Sequence, residues 1–262
     1  MVRETRMFEL NQVRVHRDNR DILSVDNLSI PSDGFTIILG HNGSGKSTLV
    51  NLLSGQTQAD SGNVTLNNTP IHALSQKQLA REIAFLPQKL PDVAGLTVQE
   101  LVRLGRFPWR GVFGRWQNND EEIIREAMVK TGIKQYANNL ADKLSGGERQ
   151  RAWVAMLLAQ QSPVLILDEP TSALDIHHQY HLMDLLQTLN QDTGCGILVI
   201  LHDLNLALRY ATHIVALKQG KIEFSGEKSL LFDEQRLTEL YQTDIKLLDH
   251  PKQTEQKIAV VV

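Results

Sequence analysis

The chain opens on alternation. Phe8 to Val15 places apolar and polar side chains in turn, and Ile22 to Ile30 repeats the pattern. A period of two suits a half-buried strand, so both stretches are expected in an antiparallel β subdomain. Pro31-Ser32-Asp33-Gly34 has the composition of a turn. The apolar run Phe35 to Leu39 then reads as a buried strand. Leu49, Val50, Leu52 and Leu53 fall on one face of a helix that ends at Gly55. A short strand, Asn63 to Leu66, closes on Asn67-Asn68. A helix from Ser75 to Glu82 leads into a strand at Ile83 to Leu86.

Pro87 and Gln88 break this pattern. From Lys89 to Ser162 the periodicity is helical with almost no strand signal. Thr97-Val98-Gln99-Glu100 is a capping box, Asp120 to Thr131 is a helix ended by Gly132, and Gly146 to Gln160 is another. Strands return at Val164 to Asp168, Ile197 to Leu201 and Ile214 to Leu217, separated by helices at Ile176 to Gln191 and Leu204 to Tyr210. The first two are continuous apolar runs, as in parallel strands buried on both faces. The pattern therefore predicts an α/β core, residues 1–88 and 163–262, interrupted by a helical insertion at 89–162, the whole forming a single domain.

Composition narrows the setting. The 262 residues are 42% hydrophobic and 22% charged, enough to build a core. A net charge of -3 argues against a nucleic-acid clamp. The single cysteine, Cys195, excludes a disulfide framework and fits a reducing compartment. Met1 to Arg6 lacks the apolar segment of a signal peptide, and no apolar run is long enough to span a bilayer. Action at a membrane would go through a partner.

Three stretches carry chemistry. Gly40-His41-Asn42-Gly43-Ser44-Gly45-Lys46-Ser47, followed by Thr48, reads G-x-x-x-x-G-K-S between a strand and a helix. This is the phosphate loop called Walker A. Its glycines let successive amides turn inward and the helix N-terminus adds positive potential. Lys46 reaches β- and γ-phosphates, and the Ser47 hydroxyl suits Mg²⁺. Val164 to Leu167 run into Asp168 and Glu169. A strand-end Asp beside a phosphate loop serves Mg²⁺, and Glu169 is placed to orient or deprotonate water. Leu144-Ser145-Gly146-Gly147-Glu148-Arg149-Gln150 is a second helix tip: Ser145 as cap, Glu148 in the capping-box position, and two glycines that permit close approach. Ser145 cannot fully serve as cap and phosphate ligand at once.

With that last stretch the chain resembles the ATP-binding subunits of ABC transporters, whose signature motif it matches. The resemblance extends, in the family's order, to Gln88 in the Q-loop position, Asp168-Glu169 as Walker B, Ser172-Ala173-Leu174-Asp175 as D-loop and His202 at a strand end. It implies the ABC ATPase fold, a phosphate-loop (RecA-like) core with an antiparallel β subdomain and the signature on the helical insertion. It implies ATP and Mg²⁺ as ligands, held between two copies of the chain packed head to tail. Gly40 to Thr48 would bind phosphate; Ser47, Asp168 and Gln88 would arrange Mg²⁺; Glu169 would polarise water. His202 would bond the γ-phosphate, and the Ser145-Gly146-Gly147-Glu148 tip would close over it from the other copy. One family feature is missing: the loop His16-Arg17-Asp18-Asn19-Arg20 has no aromatic residue to stack on adenine.

Gly105-Arg106-Phe107-Pro108-Trp109 and the stretch Ser145 to Trp153 resemble ATPases of bacterial ferric-hydroxamate siderophore importers. Relatives of that kind serve other iron chelates, haem and cobalamin. The expected partners are transmembrane permease subunits, a second copy, and indirectly a periplasmic binding protein, with the chain peripheral on the cytoplasmic face of the inner membrane. The segment Leu101 to Asn119 holds Arg103, Arg106, Arg110, Arg115, Phe107, Trp109, Phe113 and Trp116. The family favours reading it as the permease-docking surface over nucleic-acid or lipid contact. His177, His178 and His181 read as an exposed helix face, and Cys195 as structural. The competing classes are a soluble ABC ATPase of nucleic acid or ribosomes, which the short Walker A-to-signature gap and the single cassette disfavour, and a phosphate-loop kinase, which has no use for Leu144 to Gln150.

Overall fold

The computed structural model describes residues 7–18, 20–110, 116–117 and 119–262. Its elements run β1 (Met7–Arg17), β2 (Arg20–Pro31), β3 (Phe35–Gly40), α1 (Lys46–Leu53), β4 (Ser61–Leu66), β5 (Thr69–Pro70), α2 (Gln76–Glu82), β6 (Ile83–Leu86), α3 (Val98–Leu104), α4 (Asp120–Lys130) and α5 (Gly146–Gln160). Then come β7 (Val164–Asp168), α6 (Ile176–Thr193), β8 (Gly196–Ile200), α7 (Leu204–Tyr210), β9 (His213–Lys218), β10 (Lys221–Glu227), α8 (Glu234–Tyr241), β11 (Ile245–His250) and β12 (Gln253–Val261). Among the described residues no helix is long and apolar enough to cross a membrane.

The chain divides into two compact units, one of residues up to Leu74 and from Gly196 onward, the other Ser75–Cys195. In the first, β1 and β2 pair antiparallel with Phe8 opposite Ile30, Leu10 opposite Leu28 and Val13 opposite Val25. All six of these side chains are 5% exposed or less, so the alternation expected from the sequence fixes which face is buried. β4 continues this sheet on the other edge of β1. In the same unit β3 lies between β8 and β9, parallel to both, and β10 adds antiparallel to β9. Every residue of β3 and β8 is buried, as expected of strands covered on both faces. Phe35 of β3 stacks on the buried ring of Tyr210 at 6.4 Å.

In the second unit β6 and β7 pair parallel, and α3, α4 and α5 pack together. Thr97 and Ser145 form the capping boxes that start α3 and α5. Two members of the expected docking segment turn inward instead. Arg106 is 3% exposed; its Nε bonds Asp120 at 2.8 Å and its Nη1 bonds the Ala159 carbonyl at 2.9 Å. The Trp109 indole N–H donates to the Gln160 carbonyl. A buried guanidinium must be paired to tolerate desolvation, and Asp120, itself fully buried, supplies the charge. Phe107 and Trp116 remain outward, 54% and 37% exposed, with Arg110 over both rings. Phe113 and Arg115 lie outside the described residues.

Candidate nucleotide site

The phosphate loop belongs to the first unit, and its first glycine is dictated by space. A Cβ on Gly40 would meet the Leu217 carbonyl at 2.2 Å and Ser44 Oγ at 2.6 Å, with φ at +145°. Gly45, at φ 99°, is the N-cap of α1; no side chain caps the helix and no acid lies in its first turn. The leading amides of α1 therefore carry positive potential that no carboxylate of that turn offsets. Lys46 is 5% exposed, and its ammonium donates to the carbonyls of Gly40 at 2.8 Å and His41 at 2.9 Å. Ser44 Oγ is buried with no hydrogen-bond partner among the described residues. An uncapped helix tip, a lysine across the loop and an orphaned hydroxyl fit a phosphate group. Asn42 and Gly43 are exposed, while Ser47 and Thr48 are half-buried.

Register explains where His202 stands. Ile38 of β3 is opposite Ile200 of β8, so two residues further on Gly40 and His202 leave neighbouring strands at the same level. His202 is exposed, and the next residue, Asp203, caps α7 through the amides of Asn205 and Leu206.

The same logic operates in the second unit. Leu86 of β6 is opposite Leu167 of β7, so Gln88 and Glu169 emerge level with each other. The Gln88 amide donates to Glu169 Oε2 at 2.7 Å. Asp168, one residue earlier, is 4% exposed. Glu169 has φ 51°, a left-handed backbone that costs a non-glycine residue about 1–2 kcal/mol and recurs at functional positions. Among the described residues no cluster of three His, Cys, Asp or Glu side chains forms a metal cage. The Ser47 hydroxyl in the first unit and the Asp168 carboxylate in the second are each hard oxygen donors, the kind of ligand Mg²⁺ takes.

At the tip of α5, Ser145 Oγ accepts the Glu148 N–H and donates to Glu148 Oε2 at 2.7 Å. The Glu148 carboxyl is lowered to about 2, first by the Tyr136 hydroxyl and then by Ser145. A Cβ on Gly146 would meet nothing within 4 Å, and one on Gly147 would make only ordinary contacts. These glycines are not demanded by packing within the chain.

A family model for the ABC transporter matches residues 23–172. The chain belongs to the ABC transporter family, as an ATP-binding domain. It is 43% identical over 224 residues to the ferric enterobactin transport ATP-binding protein FepC of Escherichia coli (strain K12), covering 86% of this chain and 83% of that one. It is 40% identical over 241 residues to the iron(3+)-hydroxamate import ATP-binding protein FhuC of Bacillus subtilis (strain 168), covering 92% and 90%. Among solved structures it resembles the dimeric bacterial ABC transporter cassette MJ0796, with TM-score 0.77 and 29% identity over 84% of this chain and 98% of that one.

The structure of this ABC ATPase adds supporting residues that sequence reasoning missed. Gly220, in the turn between β9 and β10, donates its N–H to the Ser44 carbonyl at 3.0 Å and accepts the Ser24 N–H at 2.7 Å. Gln219-Gly220 is a visible turn signal, but nothing in it tells which loop the turn supports. Tyr136 likewise gives no local hint that its hydroxyl meets Glu148. His177 and His181 stack on each other at 6.5 Å on α6. Burial pushes the Cys195 thiol up to about 12, so it stays protonated and inert near neutral pH.

Proposed function

We propose that this ABC ATPase drives a bacterial importer for a ferric siderophore, working as two copies beneath permease subunits on the cytoplasmic face of the inner membrane. A periplasmic binding protein would deliver the cargo. The observation that carries the reading is the pair of amide-rich helix tips, at Gly45 and Ser145, the second bearing Gly146, whose Cβ position is empty within the chain, and Gly147, where a Cβ would make only ordinary contacts. Empty space beside a helix tip suits approach from outside, here by a nucleotide held on another copy.

In this reading residues 1–262 act as one nucleotide-binding domain with 89–162 as its signature-bearing part. The amides of Gly40 to Thr48 and the Lys46 ammonium hold the ATP phosphates. Ser47 and Asp168, with Gln88, would hold Mg²⁺, which would neutralise phosphate charge. Glu169 orients the attacking water, and releasing it from Gln88 frees its carboxylate for that task. His202 donates to the γ-phosphate, and Ser145 and Gly147 of the partner subunit close over it. Catalysis is then positioning and charge stabilisation, without a covalent intermediate.

The relatives named above act on different iron chelates at 43% and 40% identity, so the cargo class rests on both. Within it, the stretches Gly105–Trp109 and 145–153 favour a hydroxamate, with another iron chelate, haem or cobalamin as the alternatives. Growth on single siderophores after deletion separates them. For the motor itself, Glu169→Gln in the assembled transporter is expected to cut ATPase activity by about 10²–10⁴-fold while ATP still binds and holds the two copies together. Unchanged turnover sinks the assignment.

A further inference from the structure

The C-terminal segment reaches the phosphate loop through an aromatic contact. His41, second residue of the motif, meets Tyr241 edge to face, with ring centroids 5.9 Å apart and planes at 66°. Tyr241 is the last residue of α8, a helix capped by Asp233, seated on the fully buried Leu237 and Leu240, and tied to the end of β9 by Lys218 Nζ on the Glu239 carbonyl at 2.8 Å. Behind it, β12 is pinned to α7 by reciprocal bonds between Asn205 and the Ala259 backbone, at 2.8 and 3.2 Å. The contact therefore comes from an anchored support.

Neither ring is placed by a polar anchor at its tip. His41 Nε2 and the Tyr241 hydroxyl are both buried and lack hydrogen-bond partners among the described residues. Two such orphans are a standing cost. What fixes residue 41 from the side-chain direction is ring against ring. Its backbone carbonyl is one of two that receive the Lys46 ammonium. At its other end the loop is braced by the Gly220 amide on Ser44. Asn42 and Gly43 between these braces are exposed.

We infer that Tyr241 is a positioning residue for ATP: its ring holds His41 and so keeps the phosphate loop ordered before nucleotide arrives. The inference rests on reading Gly40 to Thr48 as the ATP-phosphate loop. A loop already ordered gives up less freedom on binding, so the effect falls on affinity and not on the hydrolytic step.

The test compares wild type, Tyr241→Ala, Tyr241→Phe, His41→Ala and the double alanine variant, all full-length, by ATP binding and steady-state ATPase kinetics. An aromatic pair of this kind corresponds to about threefold to tenfold in an equilibrium. Tyr241→Ala is expected to raise Kd and KM for ATP by that factor with kcat within about twofold. Tyr241→Phe keeps the ring and restores KM. The double variant rises no further than the larger single one, because both remove the same contact. Should Tyr241→Ala fail to fold, Tyr241→Leu preserves the bulk and loses the ring. An unchanged KM beside a lowered melting temperature, or single effects that multiply in the double variant, would overturn the inference. A wild-type chain that binds no ATP would overturn the loop reading and this inference together.

Discussion

Gly146 and Gly40 show how one residue type answers to different demands. At Gly40 the backbone of Leu217 occupies the place of a Cβ, so the chain itself requires glycine. At Gly146, first residue of α5, that place is empty, and glycine there only loosens the helix. Gly146→Ala should therefore leave the melting temperature level or slightly raised, by no more than about 1 kcal/mol in stability. ATPase activity of the assembled transporter should nevertheless fall on the order of tenfold or more, because a methyl group would stand where the partner's nucleotide is proposed to close. Equal activity in the alanine variant would mean that nothing approaches this tip.

Among the elements, the packing of α3, α4 and α5 encloses a charge pair. Arg106 and Asp120, 3% and 0% exposed, form an ion pair inside the second unit. Arg106→Ala would leave the Asp120 carboxylate buried and uncompensated, an expected loss of about 3–5 kcal/mol in urea denaturation. Arg106→Met with Asp120→Leu should recover most of that loss, since removing both charges removes the desolvation penalty. The sequence groups Arg106 with its neighbours Arg103 and Arg110 as outward cations, because spacing alone does not tell which arginine finds a buried acid. Capping boxes were legible: Thr97 with Glu100 and Ser145 with Glu148 start their helices as their spacing requires. So were β1, β2, β3, β7 and β8, whose burial follows their period. β10, α8, β11 and β12 are not legible in the pattern. β12 has polar residues over its first half and β11 mixes exposed and buried positions, so neither has a clean period.

Across the whole chain, the loop proposed to hold the phosphates and the residues proposed to act on water belong to different compact units. Gly40 to Thr48 and His202 lie in one, and Gln88, Asp168, Glu169 and the Ser145 tip in the other. Their order along the chain made the family legible, since motif order survives where three-dimensional neighbours are invisible. Long-range braces were invisible for the same reason: Tyr241 and Gly220 lie roughly 200 and 180 residues from the loop they support. That distance bears on how the protein can be handled. Two hairpin bends look equally suitable for splicing in an epitope, Pro251-Lys252 between β11 and β12 and Gln219-Gly220 between β9 and β10. The first is exposed, and a tag there should leave ATP retention on a nucleotide resin intact. At the second, the amide that the epitope would displace is the one gripping Ser44, and the tagged protein should pass through the resin unbound.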